Sequence, residues 1–527
     1  MMLLGVDVGT TAVKCAVVRA SDHELLAASY VALDEVPLLS AAGGVQGEQH
    51  VAQLLQAAHK AIATLPNELR EQLTSIGICG QMHGIVWWRS SSVAAQIEQL
   101  FAMTSAEHAL FESQSVWSKL VTWQDQRCSL AFLQQCESEI SQRASAADGS
   151  YSSSSSPLAT GYGLATYAHT LVTAPESLEQ YDACGTIQDF LAFVLCGHRS
   201  PGDASIDTTD ACSWGGFDIK SADWNRHTLS SLKIPIEMLP SVKKPGTVIG
   251  HIAADSQFGL PSGASVSVPI GDHPSSVVAA LAQHRQSNEQ SQLETNLTLV
   301  NFGTSAQLAM LLSADEVVGL HSTSRSFEVR PFVFQDQFIG VAASLSGCVK
   351  STLFHRQMVL NLTFVPLFSG NTFAWLVKQC REWMHELQFN PTDSAQSSEP
   401  DDAHWYKRLI ELGLARRETD LVFAPTLNGE RADPSARGSI QQLCMANWSL
   451  GDISAALCKG LVDNLVEMVP EELHSTVGSH QVIGTGSALV RNELLRHFLE
   501  TRLGAPLQIQ NAADAAVGAA LASLLLQ

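Results

Sequence analysis

No cluster of lysine and arginine stands out along this chain of 527 residues, which carries 31 basic against 52 acidic side chains and a net charge of −21. That shortage argues against nucleic acid or an anionic membrane as partner. An anionic substrate such as ATP would have to be met by local amides and a cation. The eleven cysteines contain no C-x-x-C pair. Their odd number and scattered placement exclude a disulfide framework or zinc site as the expectation and favour reduced thiols in the cytosol. Long apolar runs are also missing. The stretch from Ala515 to Leu526 is too short and too rich in alanine to span a membrane. The N-terminal apolar run is interrupted at Asp7 and has no basic leader, so it does not read as a secretory signal. The expected compartment is therefore cytoplasmic, and the sequons at Asn296, Asn361 and Asn447 are expected to be accidental. A hydrophobic content of 45% with 16% charged residues describes an ordinary globular protein. The length exceeds what one core supports and predicts about two large domains.

A short pattern occurs twice. Leu3 to Lys14 reads L-L-G-V-D-V-G-T-T-A-V-K, and Leu297 to Leu308 reads L-T-L-V-N-F-G-T-S-A-Q-L. Each places a glycine turn with hydroxyl residues between two apolar strand-like runs, a geometry that aims backbone N–H groups at a phosphate oxygen. Asp7, Gly9, Thr10 and Thr11 form the first loop, and Gly303, Thr304 and Ser305 the second. Asn301 stands where the first copy has Asp7, so only one loop brings a carboxylate able to hold Mg²⁺ through waters. The pair reads as a split nucleotide clamp; the plainer alternative for the first loop is a hairpin turn capped by Asp7.

Strand-like runs at Leu3–Asp7, Val13–Val18, Ser75–Cys79 and Ile85–Trp88, with a helical stretch at Val51–Ala63, predict an α/β layered domain. The run from Gly149 to Pro157, G-S-Y-S-S-S-S-S-P, reads as a flexible loop. A polar stretch from Gln283 to Glu294 has linker composition, and the boundary placed there gives domains 1–285 and 286–527. Asn390 to Asp402 reads as an exposed loop.

Several segments carry candidate chemistry. Gln81, Met82 and His83 lie between two glycines at a strand end, offering an amide, an apolar wall and an imidazole to a polyhydroxylated substrate; the alternative is a satisfied turn histidine. Asp272 ends the apolar run Ala264–Ile270 and precedes a helical stretch, where it could accept a proton from an attacking hydroxyl or cap the helix. Trp123, Asp125 and Arg127 could line a pocket or pin a loop. Gly484, Thr485, Gly486 and Ser487 form a strand-to-helix turn open to a flat ligand or a phosphate, or serve as a structural turn. Asp514 to Ala520, D-A-A-V-G-A-A, reads as a closely packed helix.

In this order the segments D-V-G-T-T, G-Q-M-H-G, W-Q-D-Q-R, T-T-D-A-C-S-W-G-G-F-D-I, G-D, G-T-S, P-T-L-N-G-E-R-A-D-P, G-T-G-S and D-A-A-V-G-A-A resemble the FGGY family of carbohydrate kinases across nearly the whole chain. The resemblance implies two ribonuclease H-like α/β domains of the actin/Hsp70/hexokinase superfamily around a central cleft, with the ketose in the first and ATP held mainly by the second. It implies Asp272 as base and Gln81, Met82, His83, Trp123, Asp125 and His273 as sugar contacts. Phosphate contacts fall on Asp7, Gly9, Thr10, Thr11 and Gly303 to Ser305, adenosine contacts on Gly484 to Ser487 and Asn492, and Mg²⁺ near Asp7 and Asp272. Trp214-Gly215 after Cys212-Ser213 weighs towards the branch acting on sedoheptulose over the xylulokinases. Thr485 departs from a common triple glycine, and His273-Pro274 from a commoner small, amide-containing pair. The implied activity is ATP-dependent phosphorylation of the terminal hydroxyl of a ketose, by a monomer or homodimer. A kinase of another ketose such as xylulose, a catalytically weak sugar sensor, and a chaperone-type ATPase are the alternatives.

Overall fold

A computed structural model describes the chain apart from residues 35, 37, 42–43, 104–110, 112–114, 147–154, 288–296, 303–305, 319, 321–325, 335–336, 345–370, 388–401, 428–429, 431–435, 511–513 and 527. It divides into two units. The first comprises Met1–Ser291, Arg330–Asp336 and Ala513–Gln527, and the second Gln292–Val329 and Gln337–Ala512. The division after Ser291 falls within the polar stretch at 283–294.

The first unit is built on a sheet whose strands run in the order Val248–His251, Ser265–Ser267, Leu73–Gly80, Met2–Val8, Ala12–Arg19 and Leu25–Ala32, with Ile270–Gly271 also on Leu73–Gly80. Met2–Val8 pairs antiparallel with Ala12–Arg19 and parallel with Leu73–Gly80. These central strands are buried along nearly their whole length, as expected where both faces of a sheet are covered. On one face Leu54, Leu55, Ala58 and Ile62 of the helix Val51–Thr64 pack with Leu4, Val6 and Ile78.

The C-terminal helix Ala515–Leu525 is the main departure from the boundaries read in the sequence, which place it in the second half; it belongs to the first unit. Gly5 and Gly77 are register partners on adjacent strands. A Cβ at Gly5 would lie 1.7 Å from the Ala516 carbonyl oxygen, and one at Gly77 would lie 1.9 Å from that of Ala519. Two bare Cα positions thus form the seat of this helix. Ala515 O then accepts from Cys79 Sγ at 3.4 Å and from Ser275 Oγ at 2.7 Å, holding the helix to both the sheet and the helix Asp272–Ser287.

The second unit has a sheet in the order Phe327–Pro331, Gln337–Ser344, Ala306–Ser313, Leu297–Phe302, Gln481–Thr485 and Leu507–Ile509. It repeats the core of the first: an antiparallel hairpin whose first strand is paired on its other side with a parallel strand. In the first hairpin Asp7 faces Lys14; in the second Asn301 faces Gln307. An amide pair therefore replaces an ion pair.

The strands and helix expected in the first hundred residues are present with boundaries shifted by a residue or two. The serine-rich run is not wholly a loop. Ser155 bridges to Asp218, and Ser156 donates its N–H to Phe217 O at 2.8 Å and accepts from Phe217 N at its hydroxyl at 3.0 Å. The rest of that run, and the polar segment 390–402 apart from Asp402, lie outside the described residues.

Candidate active site

Asp7 is the penultimate residue of Met2–Val8, placed by register directly opposite Lys14, whose Nζ lies 3.6 Å from Asp7 Oδ2. The carboxylate is 5% exposed, and its Oδ1 has no hydrogen-bond partner among the described residues. Burial lifts its pKa to about 6 against the pull of Lys14, and the charge of Asp514 adds to the rise. The following turn closes through Gly9 N to Ala12 O at 3.0 Å. Thr10 is engaged on both sides: its hydroxyl accepts from Trp123 Nε1 at 3.0 Å and donates to Gln81 Oε1 at 3.3 Å, while its carbonyl accepts from Gln49 Nε2 at 2.8 Å. Gln81 Nε2 donates to Gln49 Oε1 at 2.9 Å, closing the ring. Thr11 is exposed at the tip.

Asp272 opens the helix Asp272–Ser287 and follows Ile270–Gly271, whose register on Leu73–Gly80 sets Gly271 against Gly80. That pairing brings Asp272 beside the Gln81–Met82–His83 segment. Met82 lies over Gly271, where a Cβ would meet its sulfur at 2.5 Å. Asp272 Oδ1 accepts from the N–H of its own neighbour His273 at 2.7 Å. A capping side chain instead accepts from the second or third residue of the helix, so the cap alternative does not describe this carboxylate. Burial, reinforced by the charge of Asp7, raises its pKa to about 7, with the His273 N–H and Lys14 opposing. His273 is pushed down to about 4 by burial and by Arg330; its imidazole is neutral at pH 7.

His83 adopts φ 75°. Its Nδ1 lies 2.9 Å from Ser213 O and, facing a carbonyl, must carry the proton. The ring stacks on Tyr162 with centroids 4.5 Å apart and planes 2° from parallel. The short helix Thr208–Ser213, capped by Asp207, holds this loop at three points. Gln188 Nε2 donates to Asp210 Oδ2 at 3.0 Å and to Gly80 O at 3.4 Å, Ser213 O receives His83, and Trp214 Nε1 donates to Gly84 O at 3.2 Å. Asp210, Ser213 and Trp214 share one face at i, i+3 and i+4 spacing.

Asp125 requires a correction. It is 0% exposed, and its oxygens accept from Gly47 N, from Arg127 N and from the Arg127 guanidinium at 2.8–2.9 Å. A carboxylate so fully engaged anchors the loop; a sugar hydroxyl finds no open oxygen on it. Trp123, half-buried, reaches the phosphate turn through Thr10.

In the second unit Gly303, Thr304 and Ser305 lie outside the described residues, as does the side chain of Ser487. Gly486 has φ 91°, and a Cβ there would sit 2.4 Å from both Asn301 Oδ1 and Phe302 O, so the turn requires glycine. Thr485 is buried in the strand, in register with Asn301. Asn492 caps the helix Glu493–Leu503 by accepting from Leu495 N at 3.0 Å, and its amide nitrogen donates to Cys458 Sγ at 3.7 Å. These two bonds leave one amide hydrogen and one lone pair of Asn492 unassigned. Asn492 lines an apolar pocket with Phe302, Phe373, Tyr406, Cys458 and Ala488.

Lys14, Gln188, Asp210, Tyr162 and Arg330 were not singled out from the sequence. Lys14 was legible as the polar residue closing the D-V-G-T-T-A-V-K run; the others carry no local signal.

Residues 92–279 match the profile of the FGGY family of carbohydrate kinases, N-terminal domain. Human sedoheptulokinase is 33% identical over 532 residues, covering 99% of this chain and 97% of its own; the mouse protein is 32% identical with the same coverage. The chain belongs to the FGGY family of carbohydrate kinases. The structure is similar to that of xylulose kinase from Rhodospirillum rubrum (TM-score 0.69, 16% identity, 99% of this chain and 89% of that one). It is also similar to Plasmodium falciparum glycerol kinase with ADP (TM-score 0.66, 14% identity, 100% and 89%). This FGGY chain accordingly has the two-domain actin/hexokinase-like fold and is a carbohydrate kinase with ATP as co-substrate. Among the described residues no helix is long and apolar enough to cross a membrane.

Among the described residues no three acidic, histidine or cysteine side chains are grouped to hold a metal ion. The unpartnered oxygen of Asp7 nevertheless fits Mg²⁺, which takes one or two carboxylates and fills its remaining positions with water and phosphate oxygens.

Proposed function

We propose that this FGGY kinase transfers the γ-phosphoryl group of ATP to the terminal hydroxyl of sedoheptulose, giving sedoheptulose 7-phosphate. The observation that carries the reading is the full-length similarity to two sedoheptulokinases. It is supported by a carboxylate of raised pKa, Asp272, set beside a loop that presents Gln81, Met82 and His83. A base is most effective when its pKa lies near the working pH. Asp272, with its pKa about 7, accepts the proton of the sugar hydroxyl as that oxygen attacks phosphorus in line. Gln81 and His83 orient the sugar hydroxyls, and Met82 lies against the carbon chain. Lys14 and the backbone amides of Thr10 and Thr11 offer positive charge to the transferring group. Mg²⁺, when bound near Asp7 with waters and phosphate oxygens, neutralises charge on the β- and γ-phosphates. Gly303 to Ser305 and the turn at Gly484–Gly486 hold the nucleotide, with the apolar pocket beside Asn492 as the adenosine side. Asp125 and Arg127 brace the loop that carries Trp123.

We place the enzyme in the cytoplasm, supported by described cysteines that are all free thiols. The second reading is a kinase of a five-carbon ketose, supported by the structural likeness to xylulose kinases. Turnover of a ketose panel, read by coupled ADP release, separates the two. Asp272→Asn retaining near-normal turnover would overturn the assignment of the base.

A further inference from the structure

Tyr162 stands between two glycines in the segment A-T-G-Y-G-L-A-T, residues 159–166. Close approaches demand both of them. At Gly161, where φ is 78°, a Cβ would lie 2.3 Å from the carbonyl oxygen of Trp123. At Gly163 it would lie 2.5 Å from the indole of Trp214. The segment is therefore wedged between the loop that carries Trp123 and the end of the helix Thr208–Ser213. Backbone bonds hold it there: Tyr162 N donates to Ala159 O at 3.1 Å, and Leu164 N to Trp214 O at 3.2 Å. So placed, the buried Tyr162 ring lies on the His83 imidazole, 4.5 Å between centroids and 2° from parallel.

His83 is a residue that needs such a brace. With φ 75° it is a non-glycine residue in the left-handed region, and Gly84 N donates across it to Met82 O at 3.0 Å. That is the hydrogen bond of a γ-turn, whose positive-φ form is rare and strained. Strained residues persist where their surroundings over-determine them, and they cluster at functional sites. Three contacts supply the over-determination here. Nδ1 faces Ser213 O at 2.9 Å, Trp214 Nε1 holds Gly84 O at 3.2 Å, and Tyr162 covers the ring. A single bond at Nδ1 leaves an imidazole able to swing about the N···O line; the stacked ring fixes its plane.

We propose that Tyr162 is a positioning residue of the kinase reaction, its wedged ring holding the strained turn and the plane of the His83 imidazole ready before the ketose arrives. This rests on the reading of His83 as a sugar contact in a ketose kinase. The role belongs to the ring; the Tyr162 hydroxyl, 3.5 Å from Arg330 Nη2, is not required for it. Without the ring the turn relaxes, and the sugar must order the loop as it binds. That lowers its affinity and misaligns its terminal hydroxyl against Asp272.

The test compares wild type, Tyr162→Phe, Tyr162→Leu, His83→Gly, and Tyr162→Leu combined with His83→Gly. Glycine is chosen at 83 because it adopts positive φ without strain. For each, kcat and KM are measured by coupled ADP release with ATP and whichever of sedoheptulose and xylulose wild type phosphorylates faster, with the melting temperature alongside. Tyr162→Leu should lose about 10- to 100-fold in kcat/KM for the ketose while the KM for ATP moves less than about twofold; Tyr162→Phe, which keeps the ring, should recover to within about threefold of wild type. Added to His83→Gly, Tyr162→Leu should cost less than about a further threefold, because a residue that acts through His83 has nothing left to hold. A merely structural role would instead add its loss in full. Full additivity, equal losses in Tyr162→Phe and Tyr162→Leu, or an unchanged ketose kcat/KM in Tyr162→Leu or in His83→Gly would each overturn the proposal. If Tyr162→Leu fails to fold, Tyr162→Met decides by the same cycle. Wild type lacking ketose-dependent ADP release overturns the kinase reading and this inference together; an active wild type with additive losses overturns this inference alone.

Discussion

Replacing Gly77 with alanine tests the seat of the C-terminal helix. The added methyl would lie 1.9 Å from the Ala519 carbonyl oxygen, well inside the 3.0 Å that real Cβ contacts respect, and the obstacle is backbone rather than a side chain able to turn aside. The helix must retreat from the sheet by about an ångström. Its other contacts do not permit this locally: Ala516 O lies as close to Gly5, Gly518 sits against Ser275 O, and Ala515 O is tied to Cys79 and Ser275. Overpacking of this kind costs about 1–3 kcal/mol. At roughly 2–4 °C per kcal/mol for a large domain, Gly77→Ala should melt several degrees below wild type. Kinase activity should fall with it, because the shift is felt at Cys79, in register with Asp7, and at Ser275, one turn after Asp272. Gly202→Ala, whose nearest neighbour is Ser200 Oγ at 3.9 Å, is the control. Differential scanning calorimetry of both variants decides it. A Gly77→Ala protein melting with wild type would refute the placement of this helix.

Further outcomes are expected. Asp272→Asn should lower kcat by about 10²–10⁴-fold while sedoheptulose still binds by calorimetry, since the amide keeps the shape of the carboxyl. Because Asp272 must be ionised to accept a proton and its pKa is raised to about 7, kcat/KM should fall as pH drops below about 7. Lys14 holds that pKa down, so Lys14→Met should move the acid limb to higher pH; a limb that stays in place contradicts the electrostatic account. The same raised pKa has the opposite effect on folding. Protons bind the folded state more tightly than the unfolded one between the ordinary carboxylate range and about pH 7, so the contribution of Asp272 is full at low pH and is lost as pH rises through that window. Asp125→Ala should destabilise by about 3–5 kcal/mol, because the Arg127 guanidinium and the Gly47 N–H lose a buried partner; thermal melting checks it.

The sequence carried the hairpins, the sugar loop and Asp272 because each depends on a few adjacent residues: a glycine turn, an alternation, a carboxylate at a strand end. It could not carry the C-terminal helix's allegiance, since Gly5, Gly77 and Gly518 become one contact only when strands in register meet a helix more than four hundred residues downstream. Trp123 and Asp125 lie two residues apart in one loop, yet one reaches the phosphate turn and the other is sealed beneath Arg127. Only the fold of the intervening loop separates them. Asn492 was legible as a polar residue after the glycine turn, while its capping of the helix Glu493–Leu503 was not. Arg330 had no motif at all. Nothing in the strand Phe327–Pro331 marks it as the charge that acts on His273.

The central claim is the substrate. Wild-type enzyme assayed with ATP against sedoheptulose, xylulose and other ketoses, with ADP release as the readout, tests it most directly. The account predicts the highest kcat/KM for sedoheptulose, with phosphate on the terminal hydroxyl. A preference for xylulose, or no ketose-dependent ADP release above background, would contradict it.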